Sequence, residues 1–215
     1  MAKSGRFPLL YWTSIGLLVL MLVFTGWWWY RSTIGSCDNL LDDPVTRAHV
    51  QRMWQAGRIT VLMRHTDRCR EGDGQHCVDG LTAKGETDAK AIGAGMKRLF
   101  SDNFDLYSSK VGRAIATARL AFGRVPEVVP WLREDCEGDL QEQLLKPHEG
   151  NQVMVTHSTC LGVLTDGKGD KLIPFKPAGH EDYGLAVFLL RPESGGIPKV
   201  LACAWPEDWI DAARD

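Results

Sequence analysis

Short, wholly apolar runs alternate with longer amphipathic ones along most of this chain. Ile59-Thr-Val-Leu-Met63 and Val153-Met-Val-Thr156 are rich in β-branched residues and too short for helices, the pattern of strands buried on both faces. Phe104-Asp-Leu-Tyr107 reads as another strand, and Val125 to Trp131 as one whose prolines assign it to a sheet edge. Between these runs, Thr82 is placed to cap a helix reaching about Phe100, with Ala89, Ile92, Met96 and Leu99 as its apolar stripe. Further helices are expected from about Val111 to Phe122 and from about Thr159. A weaker amphipathic one spans Val45 to Ala56, and Leu185–Leu190 and Lys199–Cys203 read as two closing strands. Alternating strands and helices imply an α/β domain of three layers, with a mainly parallel central sheet flanked by helices.

The N-terminus obeys another rule. No charged residue lies between Phe7 and Tyr30, and Ile15 to Phe24 is almost purely aliphatic. A helix of about 20 such residues crosses the hydrocarbon layer of a membrane. Trp27, Trp28, Trp29 and Tyr30 form an aromatic belt, and Lys3 and Arg6 before the span place the N-terminus in the cytoplasm. The expected organisation is a cytoplasmic N-terminus and single anchor helix over residues 1–31, a linker over 32–44, and one exported domain over 45–215. Two alternatives remain open: a cleaved signal peptide, and lipid attachment at Cys37 in Ile34-Gly-Ser-Cys37. Six cysteines, none in the apolar span, suit disulfides in an oxidising compartment. A net charge of -2 gives no basic excess that would advertise nucleic acid as a partner.

Ligands of open parallel sheets bind beyond the carboxyl ends of the strands. There this sequence places Arg64, His65 and Arg68 after the first strand, then Ser108, Ser109 and Arg113 after the second, and His157 after the Val153 strand. Singly, each has an ordinary reading: Arg68 as a solvated charge beside Asp67 and Glu71, Arg113 as part of a polar helix face with Arg119. Together they suit a phosphoryl group. Arginine offers a planar fork of donors that stays charged, a neutral imidazole can carry the group covalently, and a protonated second histidine can stabilise developing charge. A carboxylic acid would protonate the leaving oxygen. The chemistry requires no metal and no cofactor. His65, Cys69, His76 and Cys77 are zinc-ligand residue types, but an oxidising compartment favours disulfides over thiolate ligation.

In order and rough spacing, Leu62-Met-Arg-His65, Leu81-Thr-Ala-Lys-Gly85, Asp105-Leu-Tyr-Ser-Ser109 followed by Arg113 and Thr117, and Val155-Thr-His157 resemble the histidine phosphatase (phosphoglycerate mutase-like) superfamily. A narrower set is similar to the lipopolysaccharide core heptose(II)-phosphate phosphatases: Arg64-His-Thr-Asp-Arg-Cys69, Cys77, Phe104-Asp-Leu-Tyr-Ser-Ser109, Cys136, Thr156-His-Ser-Thr-Cys160-Leu161 and Phe175-Lys-Pro177. The resemblance implies phosphomonoester hydrolysis through a phosphohistidine at His65, with Arg64, Arg113 and His157 around the phosphate and Arg68 and Ser108 binding substrate. It places the acid in Glu134-Asp-Cys-Glu-Gly-Asp139, favouring Asp139 with Glu137 and Glu134 as alternatives. It also implies Cys69–Cys77 and Cys136–Cys160 bridges; Cys37 and Cys203 lie outside that pattern and are candidates for a third pair. The implied substrate is a phosphorylated glycolipid or sugar phosphate, and the implied location is the periplasmic face of a bacterial inner membrane. Where many superfamily members have Gly after the histidine, this chain has Thr66. Rival readings are a periplasmic phosphatase for other sugar phosphates or phosphoproteins, and an inactive phosphate-binding protein.

Overall fold

Alternation along the strands decides the layering. In the computed structural model, Ile59, Val61 and Met63 face one apolar core while Leu62 faces another; Val153 and Val155 likewise oppose Met154, and Phe188 opposes Val187 and Leu189. A sheet that buries both faces needs cover on both, and helices supply it. The structure describes residues 37–70, 77, 79–133, 136, 139–166, 168–173 and 183–212, together with Gly16, residues 19–22 and Thr25.

The elements run α1 (Pro44–Gln55), β1 (Ile59–Arg64), α2 (Ala83–Leu99), β2 (Phe104–Ser108), α3 (Gly112–Phe122), β3 (Glu127–Val128), a 3-10 turn (Pro130–Leu132), α4 (Asp139–Leu145), β4 (Asn151–Thr156), α5 (Ser158–Val163), β5 (Ala186–Leu190), β6 (Lys199–Ala204) and α6 (Pro206–Ala212). Strand order is β3-β2-β4-β1-β5-β6. The pairs from β3 to β1 are parallel, and those of β5 with β1 and β6 are antiparallel. The expected three-layer, mainly parallel α/β domain is therefore present. One core joins Trp54, Ile92, Met96, Ala118 and Trp209 to the sheet; the other gathers Leu132, Leu140, Leu144, Leu161 and Ile173.

Three features differ from the sequence expectations. The third strand is only two residues long, because Pro130 diverts the chain into the 3-10 turn. Helices α4 and α6 were not anticipated; at seven residues each they are too short to display a helical period. The stretch assigned to a linker belongs in part to the domain. Cys37 is bridged to Cys203, Asn39 pairs with β6, and Leu40 is fully buried. The chain divides into Met1–Ser36 and a compact unit Cys37–Asp215. Most of the anticipated membrane span lies outside the described residues. Among those described, no helix is long and apolar enough to cross a membrane.

Helix α2 owes its close seat to small residues. A Cβ at Gly85 would stand 2.1 Å from the Asp67 carbonyl oxygen, and one at Gly93 would stand 1.8 Å from that of Ala121. Thr82 caps the helix by accepting from the Gly85 amide at 3.0 Å, and its own hydroxyl donates to the Asp67 carboxylate at 2.9 Å. The segment after β1 is thereby fixed against the start of α2. Backbone bonds from Thr82 to Asp67 and from Cys69 to Gly80 extend this attachment. Gly85→Ala should cost about 3 kcal/mol of stability through overpacking against backbone. Gly162→Ala, with open space around it, should be neutral or stabilising by up to about 1 kcal/mol. Chemical denaturation of the two variants checks the contrast; equal effects would contradict the close packing described.

Candidate active site

Parallel pairing of β2, β4 and β1 brings the carboxyl ends of these strands side by side. The His65 amide donates to Thr156 O at 2.9 Å, and the Ser109 amide to Val155 O at 3.1 Å. Residues just beyond three strands, distant in sequence, thus become neighbours. The His65 and His157 rings lie 5.3 Å apart. Arg113, near the start of α3, reaches between them: its Nε donates to His65 Nε2 at 3.0 Å, and its Nη2 lies 3.4 Å from His157 Nδ1.

His65 is 3% exposed, and its Nδ1 lies 2.8 Å from the Thr66 carbonyl. A carbonyl only accepts, so Nδ1 carries the proton and the Nε2 lone pair points to Arg113. Burial lowers the imidazole from 6.5 to about 3, the Thr66 bond opposing it and the Arg113, His157 and Arg64 charges reinforcing it. The ring is therefore neutral at ordinary pH and available as a nucleophile. Thr117 fixes this arrangement from below. Its hydroxyl donates to Arg113 O at 2.8 Å and accepts from the Thr66 amide at 3.1 Å, with the Thr66 hydroxyl also at 3.1 Å. The Thr66 side chain is accommodated by this threonine pair.

The sequence-predicted residues fall into two groups. His65, Arg64, Arg113 and His157 come together, and Arg68 stands exposed at their rim. Ser108 requires correction. It is as fully buried as Ser109, and its hydroxyl is turned away, donating to Ser109 O at 2.9 Å. Alternation at the end of β2 presents its neighbour instead, and Ser109 Oγ lies 2.9 Å from His157 Nε2. Asp139 opens α4 and lies 3.4 Å from the Arg133 guanidinium, both side chains about half exposed. No hydrogen bond joins Asp139 to the His65 cluster among the described residues; Glu134 and Glu137 lie outside them.

One participant left no sequence signal. Tyr183, just before β5, lays its ring 3.9 Å from Arg64 Cζ and 5.5 Å from the His65 ring, and its hydroxyl accepts from Arg68 Nε at 3.3 Å. Its neighbour Gly184, in a left-handed conformation, donates to His65 O, and this contact exists only once β5 pairs with β1. All six cysteines are bridged, as Cys37–Cys203, Cys69–Cys77 and Cys136–Cys160. None is therefore a thiolate that could ligate zinc. The Cys136–Cys160 bridge ties the segment preceding α4 to the helix that comes after His157.

No protein-family model matches the chain, and no curated protein does. Solved structures do. The protein histidine phosphatase SixA complexed with tungstate aligns at a TM-score of 0.53 and 16% identity, over 70% of this chain and 98% of that one. Phosphoserine phosphatase from Entamoeba histolytica, in complex with 3-phosphoglyceric acid, gives 0.47 and 14% over 70% and 98%. YhfR of Bacillus stearothermophilus gives 0.45 and 22% over 67% and 95%. The chain shares the α/β fold of SixA.

Neutral burial of His65 has a stability consequence. Its folded value lies below its unfolded one, so as pH falls from about 6.5 toward 3 the unfolded chain takes up a proton that the folded chain refuses. The group costs stability across that window and nothing above it. His65→Asn should therefore lose less stability than wild type between about pH 7 and pH 4, read from urea midpoints at each pH. Parallel losses would contradict a neutral, buried ring.

Proposed function

We propose that this protein is a phosphomonoesterase that works through a phosphohistidine at His65. The observation that carries the reading is the His65 Nε2 lone pair held 3.0 Å from Arg113 Nε, with the opposite nitrogen committed to a carbonyl. A phosphoryl dianion entering there would displace the Arg113 contact from the lone pair and take the guanidinium for its own oxygens. The Nε2–P bond forms as the P–O ester bond breaks, with Arg64, Arg113 and His157 on the phosphoryl oxygens. The Thr66 carbonyl, accepting from Nδ1–H, stabilises the positive charge that develops on the ring. Water then attacks phosphorus, the N–P bond breaks, and phosphate leaves.

The departing oxygen needs a proton, and the acid is assigned to the segment 134–139, with Asp139 first and Glu137 and Glu134 as alternatives. Returning that proton from water in the second step restores the carboxylic acid. Substituting the acid by its amide should slow hydrolysis of an alkyl phosphate about a hundred-fold and of p-nitrophenyl phosphate only about threefold, since nitrophenolate leaves without help. Assaying Asp139→Asn, Glu137→Gln and Glu134→Gln on both substrates identifies the acid. Uniform slowing of both by all three would contradict the assignment.

The substrate we propose is the phosphorylated heptose of the lipopolysaccharide core, with the domain held at the periplasmic face of a bacterial inner membrane. This rests on the sequence resemblance around His65, Cys69, Cys77, Cys136 and Cys160 and on the uncharged stretch from Phe7 to Tyr30. An anchored enzyme would meet a membrane-embedded substrate during its assembly. Full-length protein in detergent should release phosphate from heptose-phosphorylated lipopolysaccharide, and His65→Ala should lose at least about a thousand-fold. Release from soluble sugar phosphates alone would redirect the substrate assignment. Binding of phosphate without release from any ester would mark an inactive phosphate-binding protein.

A further inference from the structure

The arginines of this site face a problem that its phosphate-binding task creates. Arg64 is 6% exposed and lies in a cluster with Arg113 and two histidines, where the arginine charges disfavour any further positive charge. A carboxylate placed among them would hold them, but it would also repel an incoming dianion. An aromatic ring attracts a guanidinium through its quadrupole and carries no net charge. Tyr183 stands where such a group is needed. Its ring lies against the Arg64 guanidinium and beside His65, and its hydroxyl accepts from Arg68 Nε.

The ring is itself fixed. Tyr183 is 5% exposed, and the next residue, Gly184, bonds to His65 O at 3.1 Å while the Arg64 amide bonds to Leu185 O at 2.9 Å. A Cβ at Gly184 would meet Pro206 Cγ at 2.8 Å and Thr66 Cγ2 at 3.2 Å, so the backbone beside the nucleophile has little room to shift. The two contacts engage different parts of the two arginines. Stacking engages the face of the Arg64 guanidinium, whereas oxygen acceptors bind in its plane. The hydroxyl engages Nε of Arg68, a residue exposed at the rim.

We propose that Tyr183 is a positioning residue that divides the arginines by role: its ring holds Arg64 for the reacting phosphoryl group, and its hydroxyl aims Arg68 at the incoming substrate. The inference rests on the phosphomonoesterase reading above. Losing the hydroxyl then affects capture, and losing the ring affects the chemical step as well.

The test compares Tyr183→Phe, Tyr183→Leu, Arg68→Gln and the Tyr183→Phe/Arg68→Gln double variant of the full-length protein, each confirmed folded by its thermal midpoint. Tyr183→Phe should raise KM about tenfold, the worth of a hydrogen bond to a charged group, with kcat changed less than about twofold. Arg68→Gln should show the same rise, and the double variant should be no worse than Arg68→Gln alone. Tyr183→Leu should lower kcat by at least about tenfold. Calorimetric Kd values for inorganic phosphate supply a readout independent of turnover, and should weaken with Tyr183→Phe and further with Tyr183→Leu. A wild type that binds phosphate but hydrolyses nothing would defeat the phosphomonoesterase reading and leave these Kd values to decide the role of Tyr183. Kinetic constants and Kd unchanged in both single Tyr183 variants, or additive losses in the double variant, would overturn the proposal.

Discussion

The site depends on keeping one imidazole neutral and singly oriented inside the protein. Water would protonate a free histidine under mildly acidic conditions and let its ring rotate. Burial removes the first freedom, and the Thr66 carbonyl removes the second by accepting a hydrogen bond from Nδ1–H at 2.8 Å. The result is a lone pair aimed at Arg113 Nε. Much of the surrounding architecture maintains that geometry: Thr117 ties the Thr66 backbone to the α3 turn that carries Arg113, and β5 pairs with β1 to bring Gly184 onto the His65 carbonyl.

The parallel part of the sheet explains why these groups meet at all. Parallel strands end on the same edge, so β1, β2 and β4 bring their terminal residues and the loops beyond them to one place. From β1 come Arg64 and His65, from β2 Ser109 and the approach to Arg113, and from β4 His157. The antiparallel strands β5 and β6 add something different. They close the sheet and carry Tyr183 in beside the arginines from outside the parallel set.

How much the sequence revealed depends on how local each signal is. The strand β1, the Thr82 cap and the Arg64-His65 pair are contiguous patterns, and the expected layering and site grew from them. Arg113 and His157 were legible because topology, once inferred, places the ends of parallel strands together. Ser109 was harder to separate from Ser108, since one residue of strand phase decides which hydroxyl faces His157. Tyr183 was illegible because its role comes from an antiparallel pairing more than a hundred residues distant from Arg64, as the β1–β5 register shows. The domain start at Cys37 was hidden similarly, in a disulfide to Cys203 at a separation of 166 residues.

The central claim is a double displacement at phosphorus with His65 as the intermediate carrier, and stereochemistry tests it most directly. A phosphorothioate monoester made chiral at phosphorus with two oxygen isotopes, hydrolysed by the full-length protein in water carrying the third isotope, reports the number of in-line displacements. Two displacements, each inverting, give overall retention, which the account predicts. Overall inversion would mean that water attacks the substrate directly, and would contradict a phosphohistidine at His65.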